Sequence, residues 1–165
     1  MSTWFELPDA CNGVQGRFLE ALRKHTRDFP PSVTPMHSGA FLIDGLLITY
    51  VDVSDHDEHS VVATFRVDFD GSSVYADQVE SERVDEGTVA GLGAAGTPES
   101  CAAEAARWYL AQLGRPVERH EWFEDGLRVH VRWRFAGESR WLGWKDRAND
   151  PRNGLGTADR VIDVR

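Results

Sequence analysis

The segment DVSDHDEHS, residues 52–60, places Asp52, Asp55, His56, Asp57, Glu58 and His59 within nine positions. Carboxylates and imidazoles at this density suit two kinds of chemistry. Together they can ligate a divalent cation such as zinc, manganese or non-haem iron. They can also meet a cationic protein surface. Metal centres usually draw their ligands from separate, rigid elements braced by outer hydrogen bonds. This run is continuous and lies between two strand-like segments, where a polar hairpin loop is expected in any case. No metal site is therefore assigned, and Asp52, Asp55, Asp57, Glu58 and His59 stand as candidate contacts to a protein partner.

A second constellation lies in the last third of the chain. In LRVHVRWRF, Arg128, His130, Arg132 and Arg134 alternate with Leu127, Val129, Val131, Trp133 and Phe135. Strand alternation puts the second set on the core and the first on the opposite face. Trp122 shares its parity with Glu118 and His120, which gives a small-molecule pocket lined by His120, Trp122, His130 and Arg132 as the alternative reading. Strands carrying arginines can grip phosphate, but a net charge of -9 opposes the electropositive footprint that nucleic acid demands. The bland reading of the stripe is a solvated face whose arginines pair with acids elsewhere.

No catalytic residue is assigned. The chain has no G-x-S-x-G, H-E-x-x-H or Walker loop. Asp44, Asp70 and Asp125 each precede a glycine and are explained by turn chemistry. His120 and Glu121 are strand neighbours pointing to opposite faces, so they form no dyad.

GLGAAG, residues 91–96, satisfies G-x-G-x-x-G literally. A dinucleotide site needs a buried parallel strand before the motif and a helix that begins within it. Here a polar stretch precedes it, and the helix signals Thr97, Pro98 and Glu99 follow it. The motif reads as a joint, and no cofactor is assigned.

The elements that must carry these residues follow from periodicity. CNGVQGRFLEALRKHT repeats Val14, Phe18, Ala21, Leu22 and His25 at helical spacing, and prolines stop the helix. Strand-like runs GAFLI, LLITYVDV, VVATFRVDF and SSVYADQV follow, divided by Asp-Gly turns at 44–45 and 70–71. A second helix carries Ala102, Ala105, Ala106, Tyr109, Leu110 and Leu113 on one stripe and ends at Gly114. VERHEWF and LRVHVRWRF then flank a further Asp-Gly, with SRWLGW and VIDV as short later strands and a polar tail over 145–165. Short turns impose antiparallel pairing. The expectation is one α+β domain over 1–165, ordered α-β-β-β-β-α-β-β-β. It has a single antiparallel sheet of about six strands, with two helices on one face.

Charge is unevenly spread. Residues 44–86 carry 12 acids against Arg66 and Arg83, whereas residues 115–165 carry 11 bases and 9 acids. Such asymmetry speaks to partners and solubility rather than to fold. No apolar run is long enough to span a bilayer, and the N-terminal residues lack the features of a signal peptide. A cytoplasmic protein with two buried, unpaired thiols, Cys11 and Cys101, is expected.

AARWYLAQLGRPVERHEW, residues 105–122, loosely resembles the helix, Arg-Pro and strand ending of some small bacterial immunity proteins, which neutralise toxin partners. That resemblance implies a protein partner. With the charge map, it makes the expected function a non-catalytic, inhibitor-like module that docks a cationic, basic protein through an acidic surface.

Overall fold

The computed structural model describes residues 4–6, 11, 13–33, 35, 37–79, 92–146 and 156–164. The glycine-rich stretch and the tail are therefore described only in part, and Glu80, Glu82, Asp85 and Glu86 of the acidic segment lie outside the described residues. The elements run α1 (Gly13–Thr26), β1 (Ser38–Ile43), β2 (Leu46–Asp55), β3 (Ser60–Phe69), β4 (Ser73–Val79) and β5 (Leu92–Ala95). They continue with α2 (Pro98–Leu113), β6 (Val117–Glu124), β7 (Leu127–Phe135), β8 (Gly143–Asp146) and β9 (Arg160–Asp163).

Asp-Gly turns shape both halves. Asp44 and Gly45 have φ of 49° and 82°, and Asp125 and Gly126 have 51° and 77°. These left-handed angles make the two-residue turns whose twist matches that of antiparallel strands. Asp70 works differently: its carboxylate accepts from the Ser72 and Ser73 backbone N–H groups at 2.8 and 2.7 Å. At the start of α2, Thr97 is the N-cap and its hydroxyl accepts from the Ser100 N–H, with Pro98 in the first helical turn.

The α+β class and antiparallel pairing hold, but the strands form two sheets instead of one. Strands β1-β2-β3-β4-β5 make the first, and β8-β7-β6-β9 the second. Both neighbours of the β6–β7 hairpin come from the C-terminal region, β9 beside β6 and β8 beside β7. The hairpin's edges are thus occupied locally, and among the described residues no strand of the second half joins β5. VIDV does pair with a sheet edge, and the strand expected in SRWLGW begins later, at Gly143.

The glycine-motif joint is corrected too. Leu92–Ala95 is a strand paired with β4, Leu92 opposite Ala76 and Gly93 opposite Tyr75. Leu92 and Ala94 pack against the core, so a two-residue alternation was present, masked by the small side chains.

Both helices lie on one face of the first sheet. On α1 the buried positions are Phe18, Leu19, Leu22 and Thr26, while His25 is exposed, so the stripe is rotated from the expected one. Phe18 stacks on Phe69 with centroids 4.3 Å apart. Tyr109 of α2 meets Thr49 of β2 through a buried hydroxyl contact of 2.9 Å. Burial pushes the Tyr109 phenol well above its ordinary pKa. Farther along the same face, Phe65 of β3 receives Trp108 of α2 edge-on and stacks on Phe135 of β7. One core thus joins helices and both sheets.

Candidate functional site

At the far end of the β2–β3 hairpin the two sheets meet through charge. A register shift beside Val53 and Ser54 leaves Asp55 1% exposed. Its Oδ1 accepts from the backbone N–H groups of Asp57 and Glu58 at 3.1 and 3.2 Å. Its Oδ2 accepts from Arg119 Nη1 at 2.7 Å and Trp133 Nε1 at 2.8 Å. Four donors satisfy this carboxylate.

Arg119 and Glu121 share their strand face with Val117, the face that meets the core. Arg119 Nε donates to Glu121 Oε1 at 3.0 Å. Glu121, fully buried, also accepts from Arg128 at 2.8 Å and from Arg160 Nε at 2.6 Å. Arg128 grips both oxygens of Glu58, at 2.6 and 2.9 Å, and Lys145 Nζ donates to the Glu58 carbonyl at 2.9 Å. The result is a buried clamp in which acids of the first sheet's hairpin are held by bases of the second sheet.

This geometry reassigns the hairpin residues. Asp55 lies beneath the surface and makes no contact available to a partner. Glu58 is committed to Arg128. Asp52 accepts from the Thr64 hydroxyl at 2.7 Å, on the opposite face of the first sheet. Asp57 and His59 are exposed, as is His56. The five candidates therefore do not form one acidic contact patch, because Arg119 and Arg128 of the last third pair with three of them, Asp55, Asp57 and Glu58. Among the described residues no group of three or more His, Cys, Asp or Glu is arranged to hold a metal ion.

The stripe expected on β7 is broken for a related reason. A bulge opposite Trp122 and Phe123 changes the register, so Arg128 turns towards Glu58 and Glu121, away from His130. Leu127, expected in the core, is 55% exposed. Beyond the bulge the alternation holds. Trp122 stands opposite His130 and His120 opposite Arg132, so all four alternative pocket residues share one face of the second sheet.

That face is closed upon itself. His120 Nε2 lies 3.0 Å from Glu118 Oε2, and Arg134 Nε donates to the same oxygen at 3.0 Å. These two bonds hold the Glu118 carboxyl below the usual carboxylate range. Trp141 packs edge-on against both His120 and Trp122, and Trp122 Nε1 donates to the Gly156 carbonyl at 3.0 Å. His120, Trp122 and His130 are buried. The rings are spent on one another.

Parity could have located the clamp. Arg119 and Glu121 alternate with Val117 on a strand whose core face they must share, which is the signature of a buried ion pair seeking a partner. Arg160 carried no such signal, since its pairing with β6 is set by a distant segment.

The outer face of the first sheet, opposite the helices, differs in character. Phe41 stands opposite Ile48, Ile48 opposite Asp68, and Asp68 opposite Tyr75, forming one row across four strands. Phe41 is 40% exposed, Ile43 51% and Tyr75 54%. Tyr50 lies over Gly39, where an added Cβ would sit 2.5 Å from its ring. A side chain at Gly39 would have to displace the Tyr50 ring. Arg66 binds both oxygens of Asp68, at 2.6 and 2.8 Å.

The clamp predicts the pH dependence of stability. Burial pushes the carboxyls of Asp55 and Glu121 up, but hydrogen bonds from Trp133 and Arg119, and from Arg160 and Arg128, lower them overall. A carboxyl with a lowered folded-state pKa stabilises the fold above its unfolded value of about 4, and that contribution is lost as pH falls through the folded value. Melting temperature should hold steady from neutrality to about pH 5 and fall steeply below about pH 4. Thermal melts across pH check this, and Glu121→Gln should flatten the acid limb.

Compared with family models, curated proteins and solved structures, the chain matches none of them.

Proposed function

We propose that the protein is a non-catalytic binding module that docks a protein partner on the outer face of its five-stranded sheet. The observation that carries this reading is the exposure of Phe41, Ile43 and Tyr75 on the face opposite the helices. Tyr50, Asp52 and the Arg66–Asp68 pair lie among them. Exposed apolar area set among polar groups marks interaction surfaces, and aromatic and Arg side chains dominate their energetics. The net charge of -9 steers a basic partner towards the molecule without fixing where it lands. An inhibitor that covers a cationic protein, the kind of partner implied by residues 105–122, fits this arrangement.

The contact surface thus moves from the hairpin tip to the sheet face, and of the five hairpin candidates only Asp52 travels with it. Tyr75→Glu should weaken a stoichiometric partner complex roughly 30-fold, the effect of losing an interface anchor. It should leave the melting temperature nearly unchanged, because the side chain is half exposed. Titration calorimetry with the partner, at two salt concentrations, reads both the loss and the electrostatic share. Equal affinity in the variant would remove the sheet face from consideration.

A further inference from the structure

We propose that β1 pairs with β1 of a second copy of this chain, antiparallel about a twofold axis, joining the two first sheets edge to edge. The inference does not depend on the partner-docking reading, since it starts from the backbone edge of β1; the two share only the side chains of β1 that border both.

Hydrogen-bond parity defines that edge. The His37 carbonyl accepts from the Asp52 N–H at 2.9 Å, and Ile43 faces Leu46 across the two-residue turn. In an antiparallel ladder, alternate residues direct both N–H and C=O to the same neighbour. His37, Gly39, Phe41 and Ile43 therefore spend their backbone groups on β2, while Ser38, Ala40 and Leu42 point theirs outward. The Ser38 hydroxyl accepts from the Phe5 N–H at 3.3 Å through its side chain, and no backbone hydrogen bond to the outward groups is found among the described residues.

Sheet edges are normally guarded by charge, proline, bulges or shortness. SGAFLI contains no charged residue and no proline, and its register with β2 runs without a shift. Among the described strands the other three edges differ. Strand β5 has four residues, β8 carries Lys145 and Asp146, and β9 carries Arg160 and Asp163.

Self-pairing also suits the side chains and the charges. A register centred on Ala40 sets Ser38 against Leu42 of the second copy and engages every outward N–H and C=O of the three residues. It places each Phe41 opposite the other copy's Gly39, extending the contact that Phe41 already makes with Tyr50 at 6.3 Å. At the strand ends His37, 64% exposed, comes opposite the second copy's exposed Ile43, so no carboxylate faces another there. Two copies of a strongly acidic chain repel over much of their surface, and this neutral strand lets them approach without setting carboxylate against carboxylate. Twofold symmetry closes the assembly at two chains.

Sedimentation velocity and light scattering across the micromolar range read the outcome. The full chain should give twice its monomer mass. Ala40→Pro removes an outward N–H while leaving the β1–β2 ladder intact, and should halve that mass with unchanged circular dichroism. Should Ala40→Pro fail to fold, Phe41→Lys, which sets like charges near the axis, should also give monomers. Tyr75→Glu should remain dimeric, which separates this inference from the docking proposal. A wild-type chain that stays monomeric, or a dimer that survives Ala40→Pro or Phe41→Lys, overturns the assignment.

Discussion

Arg119→Met should lower the unfolding free energy by about 3–5 kcal/mol, a large share of the roughly 5–15 kcal/mol that holds an average domain together. The side chain is 6% exposed and lies between Asp55 and Glu121, donating to both. Methionine fills much of the same volume and supplies no charge. Asp55 keeps the Trp133 indole and two backbone donors but loses its cation, and Glu121 retains Arg128 and Arg160. The cost is the desolvation of a carboxylate left without its counter-charge. It is not the worth of the intact pair, since buried pairs gain little net against apolar groups of similar shape. Asp55→Asn with Arg119→Met should therefore cost less than the two single changes summed. Urea unfolding followed by circular dichroism measures both. A loss below about 1 kcal/mol in Arg119→Met would mean that water reaches the clamp.

How far the clamp was legible in the sequence depends on which link is considered. The Asp-Gly turns, the cap at Thr97 and the stripe of α2 follow from local chemistry, and local chemistry is what a sequence carries. The acids of residues 52–60 were visible as a group, but their direction was not. A loop of carboxylates looks the same whether it faces solvent or the arginines of a sheet more than sixty residues away. The division into two sheets was hidden for a similar reason: strand order depends on which edge a returning segment takes, and VIDV gives no hint that it chooses β6. The bulge on β7 escaped because alternation across LRVHVRWRF is perfect on paper. One extra residue in the ladder reverses Leu127 and Arg128 without altering the pattern of letters. The same alternation located His120, Trp122, His130 and Arg132 on one face, since they lie beyond the bulge.

Phe65→Ala should cost about 3–5 kcal/mol, and its relation to the clamp tells how the two sheets are held. The ring is fully buried on β3, with Trp108 of α2 at 5.6 Å and 89°, and Phe135 of β7 at 6.1 Å and 21°. Helix and second sheet thus both pack against this one side chain of the first. Alanine leaves a cavity that neither neighbour can fill without giving up its other contacts, whereas Phe65→Leu, closer in volume, should cost under about 1.5 kcal/mol. The apolar ring and the ionic clamp secure the same second sheet against the first. Once either is lost, local release of β6–β9 becomes the cheapest opening, and the remaining contact no longer stabilises the state that dominates. Phe65→Ala with Arg119→Met should accordingly cost less than the sum of the two, and amide exchange should rise in β6–β9 before it rises in β2 and β3. Strict additivity, with exchange rising evenly through both sheets, would show that the sheets never separate short of global unfolding.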